Sequence, residues 1–220
     1  LPLTRFIEAS GYVREDMYER IWDFTWVNNE MMAMTPTSKV RSFIYNVDAF
    51  KDAGLPMLTT TWEDPAWTWD TMLEYAKKLT KTDAVGRTIQ YGVSIYHDTG
   101  CEEIWTANAN SDGIFSKDGT TLAAASPEGI EALQFLADLT NKWNVQPSRG
   151  ALQQITADNM FLSGRLAMML GGTMTLPTLR QEGVGFEWDV APIPMKKHGF
   201  QEGSLVCYGI PRNARNHDAA

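Results

Sequence analysis

The side chains most able to do chemistry come in adjacent pairs. His97 stands beside Asp98, and Glu102 beside Glu103. A His–Asp pair could serve catalysis or bind a metal. Neighbouring residues rarely aim at one target, however, and no third ligand has fitting spacing. Two carboxylates could act as acid and base on a glycosidic bond, but only when they flank it. Neighbours on one loop do not, so both pairs read as polar loop. The chain has no Gly-x-Ser-x-Gly, phosphate-binding glycine loop or His-Glu-x-x-His. Cys101 and Cys207 lack metal-ligand spacing and form no disulfide framework. The reading is therefore non-enzymatic, with no catalytic residue, no metal and no cofactor.

Binding is the remaining chemistry. Eight Trp in 220 residues exceed what a core usually needs. A surplus of flat rings suits stacking on a ligand, although packing is the first role for most of them. Gly171-Gly172-Thr173-Met174 follows an apolar run. Glycine there would let the backbone approach a ligand closely, Thr173 could donate from its hydroxyl, and Met174 could line an apolar wall. A tight turn and nothing more is the other reading. The net charge is −8, the cations are scattered, and the longest basic run is Lys196-Lys197. That disfavours nucleic acid, which needs concentrated Lys and Arg. No apolar stretch reaches the roughly 20 residues of a membrane span.

The elements that must position these residues alternate in type. Residues 15–26 carry Met17, Tyr18, Ile21, Trp22 and Trp26 at helical spacing. Asn46 caps a short helix over 47–53, stopped by Gly54 and Pro56. Thr68 caps a helix whose inner face is Trp69, Met72, Leu73, Ala76 and Leu79. Ser126-Pro127-Glu128 opens another, with Ile130, Leu133, Leu136, Ala137, Leu139 and Trp143 predicted inward. Shorter helices are expected at 156–163 and 176–180. Strands are expected at 31–38 (running into a loop at Pro36), 40–45, 90–96, 166–170, 189–193 and 204–210. Gly171-Gly172 should break the fourth of these. Residues 97–113 read as loop around Ile104-Trp105, and Asp118-Gly119 as a turn between short strands. Strands alternating with helices predict an α/β fold.

Six segments then resemble, in order, those of the family 1 extracellular solute-binding proteins, the group that includes maltose-binding protein. They are residues 43–56 around Tyr45-Asn46, Thr68-Trp69-Asp70-Thr71-Met72-Leu73, Ser126-Pro127-Glu128 through Leu133, Phe161 to Met168, Trp188 to Pro194, and Gly203 to Arg212. The resemblance implies the type II periplasmic-binding-protein fold: two α/β lobes, a hinge and a ligand cleft between them. Residues 45–202 would form a nearly complete C-terminal lobe, and 1–44 with 203–220 part of the N-terminal lobe. Leu1 is no initiator Met, and a helix start at the capping Asn216 closes the sequence, so the chain reads as a fragment.

The resemblance further implies the substrate-binding subunit of an ABC importer. It would be a monomer, periplasmic or lipid-anchored at a bacterial surface, with a membrane permease as partner and a sugar or oligosaccharide as ligand. Alternatives are a polyamine, a phosphorylated polyol or a metal ion on the same fold, or a carbohydrate-cleaving hydrolase. Arg41 would suit an anion, and Glu102 and Glu103 a polyamine. On the family pattern Trp105 would face the cleft, alongside Gly172, Thr173 and Met174. Tyr45 and Asn46 would sit where the chain crosses between lobes, Asn46 reading first as a cap. Gly203 and Ser204 would mark the return crossing, where glycine suits a hinge. Thr37 and Ser38 fall in a loop where family members touch ligand, whereas Tyr208 reads as core. Many members carry a Trp near position 174, so the Met here departs from the pattern.

Overall fold

A computed structural model describes residues 1–13, 19–95, 101–181, 183–200 and 203–217. Close packing groups the chain into two units, Leu1–Lys39 with Gly203–Ala220, and Val40–Glu202.

The smaller unit contains α1 (Thr4–Ser10), α2 (Glu19–Phe24), β1 (Trp26–Val27), β2 (Glu30–Met31), the start of β3 (Met34–Asn46) and β8 (Gly203–Tyr208), which pairs with β3. Of the helix predicted over 15–26, residues 14–18 lie outside the described residues, and α2 ends at Phe24, so that Trp26 belongs to β1 instead. Asn28 and Asn29 take φ of 52° and 63°, the left-handed pair that joins β1 tightly to β2. Met31 and Leu3 are buried, and Leu3 N donates to Met31 O at 2.6 Å. Pro36 does not end the strand. Proline lacks an N–H for a ladder, and β3 carries it in the exposed stretch 36–38.

The larger unit is organised by the rest of β3. β6 (Met168–Gly172) and β7 (Trp188–Ala191) flank it, each antiparallel to it. Period-two alternation sends Phe43, Tyr45, Met168 and Leu170 into one apolar cluster and Ile44 and Met169 into another. Each face therefore carries its own core, the layered pattern of an α/β domain. Side chains from α3 (Val47–Asp52), α4 (Trp69–Leu79), α5 (Cys101–Asn110) and α6 (Pro127–Asn141) close the first cluster. Those of α7 (Arg149–Gln154), α8 (Ala157–Leu162) and α9 (Leu176–Gln181) close the second. A small ladder joins β4 (Lys81–Thr82) to β5 (Thr88–Gln90).

The helix starts are local chemistry. Asn46 Oδ1 accepts from Ala49 N at 2.8 Å, Thr68 Oγ1 from Thr71 N at 3.2 Å, and Ser126 Oγ from Gly129 N at 3.1 Å. Each satisfies an N–H that the first helical turn leaves without a partner.

Five sequence expectations change. Residues 101–110 are helix α5, not loop. The strand expected over 90–96 is reduced to isolated parallel bridges at Tyr91–Leu166 and Ser94–Met169, with residue 96 outside the described residues. β6 continues through Gly171 and Gly172. α6 is turned so that Gly129, Ala132, Leu136 and Leu139 are buried while Ile130 and Leu133 face outward. Gly129 allows that orientation, since a Cβ there would come within 2.5 Å of the Ala124 carbonyl oxygen. Around Asp118-Gly119 the backbone makes one strand-like bond, Ser116 N to Thr121 O at 2.9 Å, and no strand is assigned among the described residues. No described helix is long and apolar enough to cross a membrane.

Candidate functional site

Strand direction picks out one edge of the larger unit. β6 and β7 both run antiparallel to β3, so they run parallel to each other. The bridges of Tyr91 to Leu166, just before β6, and of Ser94 to Met169 in β6 are parallel too. Val145 and Gln146 continue the layer: Val145 O accepts from Gly92 N and Val93 N, each at 3.1 Å, and Gln146 Oε1 accepts from Ile95 N at 2.7 Å. The carboxyl ends of 91–95, β6 and β7 thus gather at one edge, where open α/β sheets place their ligand crevices.

Gly172, Thr173 and Met174 stand at that edge. Thr173 and Met174 are exposed, the latter by 67%. Thr173 N donates to Val40 O at 3.0 Å, and Thr175 N to Gly172 O at 2.9 Å, which turns the chain into α9. The two glycines have a packing reason. A Cβ at Gly171 would run into the Ile44 side chain, and one at Gly172 would lie 3.0 Å from Val40 O. They let β3 and β6 lie close together. Arg41 faces Gly172 in the strand register.

A charged pair lies further along. Arg149 Nη2 donates to Glu102 Oε1 at 2.9 Å, joining the first turns of α5 and α7. Ser148 caps α7 through Ala151 N. Glu103 turns elsewhere, its carboxylate lying against Gly113. The two neighbouring acids diverge and cannot share a scissile bond. No described group of His, Cys, Asp and Glu could hold a metal ion. The Glu102–Arg149 pair was not foreseen as a unit. Its one sequence signal is the cap at Ser148, which fixes where α7 begins.

Several foreseen ligand residues lie elsewhere. Trp105 is fully buried and stacks on Trp69 with centroids 5.8 Å apart. Helix formation accounts for this, because α5 presents Ile104, Trp105 and Asn108 to the core. Tyr45 is 1% exposed and packs 4.9 Å from Phe50. The chain passes between units upstream of it, at Lys39–Val40. Thr37 and Ser38 are exposed on β3, and Gly203 is exposed on β8. The Ser204 side chain, His97 and Asp98 lie outside the described residues. Tyr208, read as core, is 63% exposed because it falls on a strand of the smaller unit with little packed over it. Cys207 is a free, exposed thiol.

Comparison with known proteins agrees with this architecture. The family model for bacterial extracellular solute-binding proteins matches residues 8–220. A protein of Brucella abortus named as a binding protein is 23% identical over 196 residues, covering 83% of this chain and 43% of the relative. The structure is similar to an ABC substrate-binding protein of Listeria monocytogenes in complex with cycloalternan, with a TM-score of 0.84 and 25% identity over 98% of this chain and 53% of that one. It is also similar to maltose-bound MalE3 of T. maritima, with a TM-score of 0.76 and 22% identity over 96% of this chain and 53% of that one. The chain spans about half the length of each of these relatives. The α/β fold is that of the type II periplasmic binding proteins, and with the family match extending over nearly every residue, the chain belongs to the bacterial extracellular solute-binding protein family.

Proposed function

We propose that the protein is the substrate-binding subunit of an ABC importer, and that its ligand is a sugar or oligosaccharide. The family match over residues 8–220 carries this reading. The maltose and cycloalternan complexes of two similar structures support the carbohydrate class. In this reading the larger unit is the C-terminal lobe. Ligand lies at its carboxyl edge, against Thr173 and Met174, and the smaller unit's Thr37, Gly203 and Ser204 belong to the opposing lobe and the crossings. Thr173 offers a hydroxyl and Met174 an apolar wall, the two surfaces a sugar ring presents in return. Ligand that gains contacts only when the lobes close stabilises the closed form by differential affinity, and a membrane permease reads that form. Trp105 and Tyr45 are not part of the proposed contact set, because buried rings have no face to offer.

A thermal-shift screen of the full-length protein tests the reading. Mono- and oligosaccharides, a polyamine and a glycerophosphodiester are compared at equal concentration. Ligand present at about 100 times its Kd stabilises the native state by about 2.7 kcal/mol, so a sugar should raise the melting temperature by several degrees. A shift produced by the polyamine or the phosphodiester alone would refute the carbohydrate class. Turnover of an oligosaccharide on prolonged incubation would refute the transport role.

A further inference from the structure

We infer that the loop carrying Trp62 is a second sugar platform on the same edge, and that the ligand is an oligosaccharide long enough to reach it. This inference rests on the carbohydrate reading above. Trp62 is 44% exposed and is the only one of the eight indoles in the exposed class. It packs in one small recess with Glu63, Asp64, Trp67, Pro192 and Ile193. Pro192 directly follows the last residue of β7, so the loop lies next to the carboxyl edge already described.

The strand register sets the span. Phe43 pairs with Ala191, the last residue of β7, on one side and with Leu170 on the other, so β6 runs further along the strand direction, to Gly172 opposite Arg41. Two strand spacings, roughly 10 Å, also separate β7 from β6 across the sheet. A ligand that reaches from Thr173–Met174 to the loop beside Pro192 is therefore longer than one sugar ring.

Several contacts hold the backbone of this loop in place. Glu63 adopts φ of 55°, and its side chain occupies the gap left by Gly199, where a Cβ would come within 2.5 Å of Glu63 Cγ. A non-glycine residue held in the left-handed region is uncommon and persists where the surroundings enforce it. Asp64 Oδ1 accepts from Ala66 N at 2.9 Å. Trp67 lies buried beneath, with Nε1 donating to Pro192 O at 2.8 Å and its ring edge-on to Phe43 at 5.8 Å. Met195 N donates to Trp67 O at 3.1 Å, which ties the loop to the segment after β7. Thr59, Thr60 and Thr61 precede the exposed indole. An exposed apolar plate on a braced loop, beside hydroxyls, is what the C–H face and hydroxyl rim of a sugar require.

The test is calorimetry on the full-length protein with glucose, maltose, maltotriose and maltotetraose, and with mannose and its β-linked di-, tri- and tetrasaccharide. Trp62→Ala should weaken binding of the tri- and tetrasaccharides about 5-fold, the scale of one aromatic contact, and leave shorter sugars within about twofold. Trp62→Phe should restore most of the loss. Trp62→Gln gives the same reading if the alanine variant melts early. A loss equal at every length, or none at any, overturns the inference. So does unchanged sugar affinity with slowed transport, which would assign the indole to the permease. If the unaltered protein binds no sugar in either series, the carbohydrate reading fails first and this inference with it. Sugar binding by the unaltered protein that is unaffected in the variants sinks the platform alone.

Discussion

The hydroxyl of Tyr45 is the polar tip of a ring that is otherwise core. Burial raises its pKa above the ordinary value near 10, and the negative charges of Asp189 and Glu187 push in the same direction. A backbone hydrogen bond at Leu58 partly offsets them. The folded protein therefore keeps this proton at a pH where the unfolded chain has released it. Stability from this group is complete below about pH 10 and declines as pH rises beyond the unfolded value. Tyr45→Phe should flatten the alkaline limb of a stability-versus-pH curve measured by urea unfolding, and an unaltered limb would show that the group does not titrate with folding. Residue identity alone did not separate such core aromatics from ligand aromatics. Tyr45, Trp69 and Trp105 look alike in sequence to Trp62, and only burial tells them apart.

At the scale of elements, what was legible is what is local. Asn46, Thr68 and Ser126 announce helices because each cap bonds an N–H three residues on. α5 was missed because its interior is polar. Thr106 and Asn108 are buried, yet Thr106 Oγ1 donates to Glu102 O and Asn108 Nδ2 to Ile104 O, so the helix takes up the donors of both side chains itself. A sequence reading counts such residues as loop formers. The glycines misled for a related reason: their necessity comes from a partner element that sequence spacing does not reveal. Gly92 is the sharpest case. A Cβ there would overlap the Ala76 carbonyl in the backbone of α4, which has no rotamer to yield. Gly92→Ala should cost about 3 kcal/mol, whereas Gly185→Ala, with open space around it, should stay within about 0.5 kcal/mol. Urea midpoints of the two variants decide this, and equal shifts would disprove the close docking of α4.

For the molecule as a whole, the two units differ in how much they bury. Most of the core residues lie in Val40–Glu202, whereas the smaller unit hides little beyond Leu3, Trp22, Thr25, Met31 and Thr35. Local opening follows local burial. In hydrogen exchange, amides of Phe43–Asn46 and Met168–Leu170 should be protected by at least ~2 kcal/mol more than those of α1, β1 and β2. Uniform protection across both units would contradict the division. The fold class was legible from the order of six segments, because a family pattern survives where individual contacts vary. The site was legible only in part: Thr173 and Met174 could be named from that pattern, but Trp62 lies in a stretch to which the pattern assigned nothing.

That indole has an optical consequence. Rings packed among hydrocarbon emit toward the blue, and a ring in water emits toward the red. Six of the eight Trp are flanked by another aromatic ring, and Trp62 is the most exposed of the eight. The red edge of the protein's own fluorescence is therefore weighted toward Trp62, and the change in that edge between the native protein and Trp62→Phe isolates the light from one loop without any added dye.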